Sequence, residues 1–234
     1  AVLKGLTMST RPALSVIVPA LNAETSLAAT LTSVAAVAPL ETIVVDGGSA
    51  DGTRDIATAC GATVLTTSPG RGGQLAAGAA AARGNWLLFL HADTELAAEA
   101  PGALRHHMSA AENFDRVGIF EFRLDDPSAQ ARRIERVVAW RTRALGLPYG
   151  DQGLLISRAL YDEIGGFRPL PLMEDVDIIR RLGRWRLVRL GAAAITSAAR
   201  YRSGGWWARP ARNLFCLSLY FAGVPPRAIA RIYR

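Results

Sequence analysis

Residues 70–94 read GRGGQLAAGAAAARGNWLLFLHADT and carry the clearest structural signal in the chain. After a glycine-rich loop, the alanine-rich residues 74–83 predict a helix that ends at Gly84. Residues 86–90 form an uninterrupted apolar run, which is typical of a strand buried on both faces of a parallel sheet. The residues at the carboxyl end of that predicted strand are His91, Ala92 and Asp93.

The preceding residues show the same alternation of strand and helix, which is the pattern of βαβ units around a largely parallel sheet. Predicted strands cover residues 14–18, 41–45 and 63–66. Beyond residue 94 we expect a strand over 117–124, a loop over 147–153, and helices over 128–144, from about Glu174, and over 206–220. The predicted fold class is therefore α/β, with a mostly parallel central sheet flanked by helices.

Length and composition predict one domain spanning residues 1–234. Half of the 234 residues are hydrophobic, which is enough for one sizeable core. No run of about 18 uncharged apolar residues indicates a membrane span. The N-terminal residues contain no long apolar segment followed by a cleavage site, so a cytoplasmic location is expected.

Positive charge is concentrated towards the end of the chain. The formal net charge is +7, yet no Asp or Glu follows Asp177, whereas twelve arginines do. An acidic first part can attract a cation, and a basic last part can meet phosphates or lipid headgroups. The alternative is that the arginine content reflects genome composition, since Lys4 is the only lysine.

Ligands of open parallel sheets bind beyond the carboxyl ends of the strands. After the first two predicted strands, the candidate residues at this edge are Pro19, Ala20, Asn22, Glu24, Asp46 and Gly48. Asp46 either accepts hydrogen bonds from a nucleobase or ribose or is a turn aspartate. The glycine patterns of a dinucleotide-binding loop and of a P-loop are both absent.

Asp93 follows a wholly apolar strand, where a carboxylate is costly to desolvate without a cation or hydrogen-bond donors. Mg²⁺ or Mn²⁺ would combine such a carboxylate with phosphate oxygens. The alternative is that Asp93 caps a following helix. His91 either binds the ion or a phosphate or has a structural role.

A second acidic cluster contains Glu174, Asp175 and Asp177. Carboxylates at a helix start are favoured by the helix dipole, which is a purely structural explanation. The functional alternative is that one of them takes a proton from an attacking hydroxyl. Because Glu174 and Asp175 are adjacent, they point in different directions and are not expected to share that role.

Four segments taken together resemble the inverting family 2 glycosyltransferases, which have a GT-A fold. The segments are LSVIVPALNAE (14–24), IVVDGGSADGT (43–53), residues 70–94, and GGFR with MEDVD (165–168 and 173–177). The HADT form is similar to that of a small single-domain subgroup, with His91 where the family's D-x-D motif usually begins with aspartate. Gly47 likewise stands where a second aspartate often follows Asp46.

The resemblance implies transfer of one sugar from a nucleotide-sugar donor to an acceptor hydroxyl, with inversion and with Mn²⁺ or Mg²⁺ as cofactor. It implies a donor half over about 14–95 and an acceptor half over about 96–234. The implied nucleoside pocket includes Pro19, Ala20, Glu24, Asp46 and Arg71. Asp93 is implied as the metal-binding end of the D-x-D motif beside His91, and Asp175, paired with Glu174, as the general base.

The second half is expected to recognise the acceptor, for which the basic charge suggests an anionic or lipid-linked molecule. Asp151 and Gln152 lie in a polar loop ahead of a strand, and Arg200 and Arg202 are expected near a pyrophosphate or the acceptor. Residues 206–220 combine aromatic side chains with arginines. They predict either a packed amphipathic helix or a surface that rests on the cytoplasmic face of a membrane.

Three other functions fit parts of the pattern. A nucleotidyltransferase would normally place a lysine near the donor phosphates, and Lys4 is the only lysine. In a non-catalytic nucleotide-sugar-binding protein, His91 and Gly47 would be signs of lost activity. Nucleic-acid binding would use the basic second half and would show a steep salt dependence of affinity. We expect no nucleic-acid partner.

Overall fold

The computed structural model of the protein describes residues 12–233, apart from the side chains of Arg200, Ser203 and Arg209. Its first part alternates strands and helices, as the sequence predicts. The strands are β1 (Leu14–Ala20), β2 (Glu41–Asp46), β3 (Thr63–Thr66) and β4 (Trp86–Phe89). The helices between them are α1 (Leu27–Ala35), α2 (Thr53–Ala59) and α3 (Arg71–Ala81). Every residue of β1 and β4 is buried, as expected for apolar strands inside a sheet.

Helix α3 begins earlier than predicted. It starts at Arg71, so Gly72 and Gly73 of the predicted loop belong to the first turn of the helix. At Gly72 a Cβ atom would collide with the backbone carbonyl oxygen of Arg168. This glycine therefore allows close packing of two segments rather than flexibility.

The segment after Asp93 is a strand rather than a helix. Strand β5 (Thr94–Leu96) follows Asp93 directly, and the next helix, α4 (Ala100–Ser109), begins only after a further short connection. The alternative in which Asp93 caps a following helix is therefore wrong.

The second part contains the strand and the helices expected there, together with elements that the sequence did not indicate. Its strands are β6 (Val117–Leu124), β7 (Leu154–Ser157) and β8 (Leu187–Thr196). Its helices are α5 (Ala129–Leu145), α6 (Arg158–Glu163), α7 (Glu174–Leu182), α8 (Ala199–Gly204), α9 (Ala208–Phe221) and α10 (Pro226–Tyr233).

Within the described residues, eight strands form a sheet in the order β3-β2-β1-β4-β7-β6-β8-β5. Neighbours from β3 to β4 are parallel, as are β6 and β8. The other three pairings are antiparallel, so the prediction of a mostly parallel sheet is confirmed. Because β2, β1 and β4 are parallel neighbours, their carboxyl ends meet at one edge of the sheet.

Apolar side chains cover both faces of this sheet. On one face, α3 and α7 pack against residues such as Ile17 and Phe89. On the other face, α1 and α4 pack against residues such as Val18 and Leu88. Helices cover both faces, so the polar loops at the edge are the natural place for a ligand.

Helices α9 and α10 join the first of these apolar clusters. Their buried residues there are Cys216, Leu217 and Ile229. In the part of the chain that the structure describes, no helix combines the length and the apolar character needed to cross a bilayer.

Candidate functional site

The loops after β1 and β2 are tied together by short hydrogen bonds. The Asn22 N–H donates to Ser49 Oγ at 2.9 Å, and the Ala50 N–H donates to Asn22 Oδ1 at 3.0 Å. Asp46 is fully buried and accepts from the Ser49 hydroxyl at 2.5 Å and from the Gly48 N–H at 3.2 Å. The Asp46 carboxylate therefore fixes the turn that follows β2.

Gln74 joins the ends of β1 and β2 to helix α3. Its buried Nε2 donates to the carbonyl oxygens of Ala20 at 2.9 Å and Val45 at 2.7 Å. A Cβ atom at Gly47 would lie 3.0 Å from the same Nε2. The glycine at position 47 thus leaves room for the amide that holds the two strand ends.

The segment containing Asp93 is anchored through its backbone. The carbonyl oxygen of Ala92 accepts from the hydroxyls of Ser26 at 2.9 Å and Thr30 at 3.1 Å. The Ser197 N–H donates to the carbonyl oxygen of Asp93 at 3.0 Å. These bonds hold the segment against α1 and the end of β8, and the Asp93 side chain lines a cleft.

Arg71 connects this segment to the start of α7. Its Nε donates to Glu174 Oε1 in an ion pair, and its Nη1 lies 3.5 Å from His91 Nε2. Burial acts to lower the pKa of Arg71, but the carboxylates of Glu174 and Asp175 outweigh it and raise that pKa. The guanidinium is therefore a permanent positive charge beside His91.

The Glu174 side chain is only 1% exposed and is paired with Arg71. Burial raises the pKa of Glu174, and the positive charge of Arg71 opposes this shift. A carboxylate so enclosed is suited to holding Arg71 in place rather than to meeting a ligand.

Asp175 and Asp151 face the cleft from two different elements. Asp175 is in the first turn of α7, and its Oδ2 accepts from the Gly150 N–H at 3.0 Å. Asp151 lies in a short helical turn ahead of β7, and its Oδ1 is shielded from solvent with no hydrogen-bond partner among the described residues. Burial raises the pKa of Asp151 to about 6; the positive charge of Arg141 opposes the shift, and Asp175 adds to it.

The cleft has two adjoining chambers. The first, which we call the β1 chamber, has a volume of about 620 Å³ and runs from the loop after β1 to the start of α3. Small-molecule sites typically have roughly 300–1,000 Å³. The second, which we call the α7 chamber, has about 110 Å³ and lies between Gly150 and the first turn of α7. Arg71, His91 and Asp93 line both chambers, so they stand where the two meet.

The structure brings most of the predicted site residues together in this cleft. In addition to the three at the junction, the β1 chamber is lined by Pro19, Ala20, Asn22 and Ala92. The α7 chamber is lined by Asp151 and Asp175.

Four predicted donor-side or catalytic residues, Glu24, Asp46, Gly48 and Glu174, line neither chamber. Glu24 instead accepts from the Gly52 N–H at 2.8 Å, close to the turn that contains Asp46 and Gly48. These residues support the loops around the cleft.

The predicted acceptor residues are only partly in place. Gln152 is buried, accepts from the Thr142 hydroxyl at 2.8 Å and donates to the Phe120 carbonyl oxygen at 3.1 Å, so its side chain does not reach the cleft. Arg202 pairs with Asp126 at 3.0 Å on the surface. The Arg200 side chain lies outside the described part of the structure.

Sequence reasoning missed several residues that shape the cleft. Arg141 stacks over the Tyr149 ring, 3.4 Å from its centroid, and Asn213 and Tyr233 line the α7 chamber from α9 and α10. Gln74 could have been identified from sequence, because it is a polar residue on the same face of an alanine-rich helix as residues that are buried. No sequence pattern could have identified Asn213 and Tyr233, since only tertiary packing brings α9 and α10 to the α7 chamber.

The residues at the chamber junction fit a hard divalent cation. Among the described residues, no cluster of three or more His, Cys, Asp or Glu side chains could hold a metal ion by itself. Mg²⁺ commonly takes one or two carboxylates and completes its shell with phosphate oxygens. Asp151 Oδ1 has no hydrogen-bond partner among the described residues, and the Asp93 carboxylate helps to raise the pKa of Asp151, so a cation at the junction would relieve repulsion between these carboxylates.

The family model for glycosyl transferase family 2 matches residues 15–168. That range includes the loops after β1, β2 and β4 but ends before Glu174 and Asp175. No curated protein sequence matches the chain.

Solved structures show the same fold. Glucosyl-3-phosphoglycerate synthase from Mycobacterium tuberculosis, in complex with Mn²⁺, uridine diphosphate and glucosyl-3-phosphoglycerate, is 23% identical, with 92% of this chain and 81% of that chain covered and a TM-score of 0.60. A fragment of S. aureus TarS is 18% identical, with 80% and 60% covered and a TM-score of 0.59. The complex of a TarS fragment with UDP-GlcNAc is 18% identical, with 79% of this chain and 58% of that chain covered and a TM-score of 0.61. The chain thus spans less than two thirds of the TarS fragment, and the α/β fold predicted from sequence is confirmed.

Proposed function

The chain belongs to glycosyl transferase family 2, and from this we propose that it transfers a sugar from a nucleoside diphosphate donor to an acceptor hydroxyl with inversion at the anomeric carbon. The observation that carries the proposal is the position of Arg71, His91 and Asp93 at the junction of the two chambers. A nucleotide sugar has its diphosphate between two larger groups, so the nucleoside would occupy the β1 chamber and the sugar would point towards the α7 chamber.

Asp93, with His91 beside it, would hold the divalent cation against the donor diphosphate. Bound there, the cation would offset the negative charge that develops on the leaving nucleoside diphosphate. Arg71 lines the same junction and adds a positive charge, with Glu174 fixing its orientation through the ion pair. The M. tuberculosis synthase complex contains Mn²⁺ and uridine diphosphate, and TarS is solved with UDP-GlcNAc. Uridine nucleotides and Mn²⁺ are therefore the first ligands to test.

Asp175 is the proposed general base. Its carboxylate lines the α7 chamber and is oriented by the Gly150 N–H. It would take the proton of the acceptor hydroxyl as that oxygen attacks the anomeric carbon, and the bond from that carbon to the donor phosphate oxygen would break on the opposite side. Attack from the side opposite the leaving group inverts the configuration.

The substitution Asp175→Asn tests this proposal. Asparagine keeps the shape and a hydrogen-bond acceptor for the Gly150 N–H but cannot take a proton. We expect sugar transfer to fall by at least about 100-fold, the usual effect of losing a general base, with donor affinity unchanged. Asp162→Asn is the control, because Asp162 is an exposed carboxylate outside the cleft.

Transfer rates are measured by release of the nucleoside diphosphate with a panel of acceptors, and donor affinity by calorimetry. Full activity of Asp175→Asn would remove Asp175 as the base. Donor binding by the wild type with no transfer to any acceptor and no donor hydrolysis would instead favour a non-catalytic nucleotide-sugar-binding protein.

A further inference from the structure

Helix α9 presents an apolar face to solvent. Along one side of the helix the exposed residues follow helical spacing and are uncharged, and the exposed Arg212 is not among them; they are Trp207, just before the helix, with Ala211, Leu214, Phe215, Ser218 and Phe221. Leu214 is 63% exposed, and Trp207, Phe215 and Phe221 are each more than 50% exposed. We call these residues the α9 face. A surface helix normally carries charged side chains on its solvent side, so this exposure is unusual.

The opposite side of α9 is already used for packing. Cys216 and Leu217 are buried in the apolar cluster that contains α3 and α7. The helix is therefore apolar on both sides, with one side inside the protein and the other outside. At 1.5 Å per residue the α9 face is about 20 Å long. It is therefore a continuous apolar surface rather than a single exposed apolar residue.

The surroundings of the α9 face are basic. Arg212 stacks on the Tyr233 ring at 4.6 Å, and Arg180 lies 5.2 Å from the Phe221 ring. Arg227 and Arg231 are exposed on the neighbouring helix α10. No Asp or Glu follows Asp177 in the sequence, so no carboxylate of α8, α9 or α10 neutralises these arginines.

We propose that the α9 face docks on the surface of an anionic lipid bilayer. Aromatic and aliphatic side chains would enter the interface while the flanking arginines meet lipid phosphates, the arrangement of helices that lie in the membrane plane. A second copy of the chain fits this surface less well, because a two-fold interface would bring the arginines of one copy towards those of the other.

Docking would also place the cleft near the lipid surface. Asn213, next to Leu214 on α9, and Tyr233 on α10 line the α7 chamber. Resting on the proposed glycosyl transfer, this position favours an acceptor that is anchored in the membrane and offers its polar end to the chamber.

Vesicle binding of the whole chain tests the proposal without any nucleotide. The chain is sedimented with vesicles of phosphatidylcholine alone and with vesicles that contain phosphatidylglycerol. Leu214→Glu is the test variant, and Leu40→Glu is its control, since Leu40 is 53% exposed and lies before β2, outside α9 and α10. Both variants add the same negative charge. A difference in vesicle binding between them therefore results from the position of the charge rather than from the charge itself. Circular dichroism checks that each variant is folded.

We expect the wild type and Leu40→Glu to bind the anionic vesicles, more weakly as salt is added, and Leu214→Glu to bind at least about tenfold less tightly. Absence of wild-type binding, or equal binding by the two variants, would overturn the proposal. So would a wild-type dimer that Leu214→Glu dissociates while no vesicle binding is seen, because the face would then be a contact between copies. Since no donor is present, these outcomes are independent of whether sugar transfer is found.

Discussion

The geometry of the cleft can be tested by adding a single Cβ atom at Gly150. A Cβ at this position would lie 2.5 Å from His91 Nε2, and the Gly150 N–H holds Asp175 Oδ2 at 3.0 Å. Gly150→Ala should therefore displace His91 and weaken Mn²⁺-dependent binding of the donor by about tenfold or more, as expected when a packed contact is overfilled. Calorimetry with a uridine nucleotide and Mn²⁺ measures this affinity.

The control for that variant is Gly102→Ala in helix α4, where a Cβ would meet no atom within 4 Å. Alanine is favoured over glycine in a helix, so this change should raise the free energy of unfolding by about 0.5–1 kcal/mol and leave donor affinity unchanged. Equal donor affinity in Gly150→Ala and Gly102→Ala would show that His91 does not contribute to donor binding as proposed.

His107 makes the stability of the fold depend on pH. It is buried in α4, with its ring 5.6 Å from that of Trp86, and burial lowers the pKa of His107 to about 4. The unfolded chain takes up the proton below its ordinary pKa of 6.5, whereas the folded chain does so only near 4. The unfolded state therefore binds more protons in that interval, and stability falls as the pH is lowered through it.

From this shift we expect His107 to reduce the free energy of unfolding by about 2 kcal/mol between about pH 7 and pH 5. Urea unfolding at the two pH values measures the change. His107→Leu should remove this part of the pH dependence, and His106→Leu, at an exposed position of the same helix, should retain it. Identical pH dependence in the two variants would assign the acid sensitivity to other groups.

Several residues of the cleft could be predicted because their type and their place after a strand are both informative. Asp93 is an example, since a carboxylate directly after a buried apolar strand needs a partner. Gln152 could not be judged in this way. Its partners Thr142 and Phe120 come from α5 and β6. Local sequence does not reveal that hydrogen bonds to these two residues hold the Gln152 amide away from the cleft.

Helix α3 links the β1 chamber to the sheet through its glycines. A Cβ at Gly78 would collide with Ile17 and lie 2.9 Å from Val45 Cγ2, whereas a Cβ at Gly73 of the same helix would meet no atom within 4 Å. The two sites therefore allow the same substitution to be compared in opposite environments.

Gly78→Ala should lower the free energy of unfolding by about 1–3 kcal/mol, because α3 must move away from β1 and β2. Gly73→Ala should raise it by about 0.5–1 kcal/mol through helix propensity. Urea unfolding midpoints, with their slopes checked for constancy, measure both changes. Similar midpoints for the two variants would contradict the close packing of α3 on the sheet.

The strands β1 to β4 were predictable because each is a short apolar or β-branched run with clear turn signals. Strand β5 has only three residues, and β8 contains Gly191 with a left-handed backbone and alternates irregularly between buried and exposed positions. Neither has a local pattern that distinguishes it from a loop. Both are strands because they pair with each other and β8 pairs with β6, a long-range interaction.

The cleft as a whole depends on contacts between distant parts of the chain. The β1 chamber comes largely from the alternating strands and helices of the first part, which sequence patterns predict well. The other wall of the cleft uses α7, α9 and α10, whose positions follow from packing on the sheet. This explains why the motif residues could be named in advance while Asn213 and Tyr233 could not.

Metal-dependent donor binding at Asp93 is tested most directly by the thermal stability of the chain with UDP-, GDP- and dTDP-sugars, each with and without Mn²⁺. A ligand that binds only the folded state at 100 times its Kd stabilises it by about 2.7 kcal/mol, which is readily measured as a rise in Tm. We expect at least one sugar nucleotide to raise the Tm only with Mn²⁺ present, and the rise to disappear with EDTA and in Asp93→Asn. No shift with any sugar nucleotide, or a shift that neither EDTA nor Asp93→Asn changes, would contradict the proposed site.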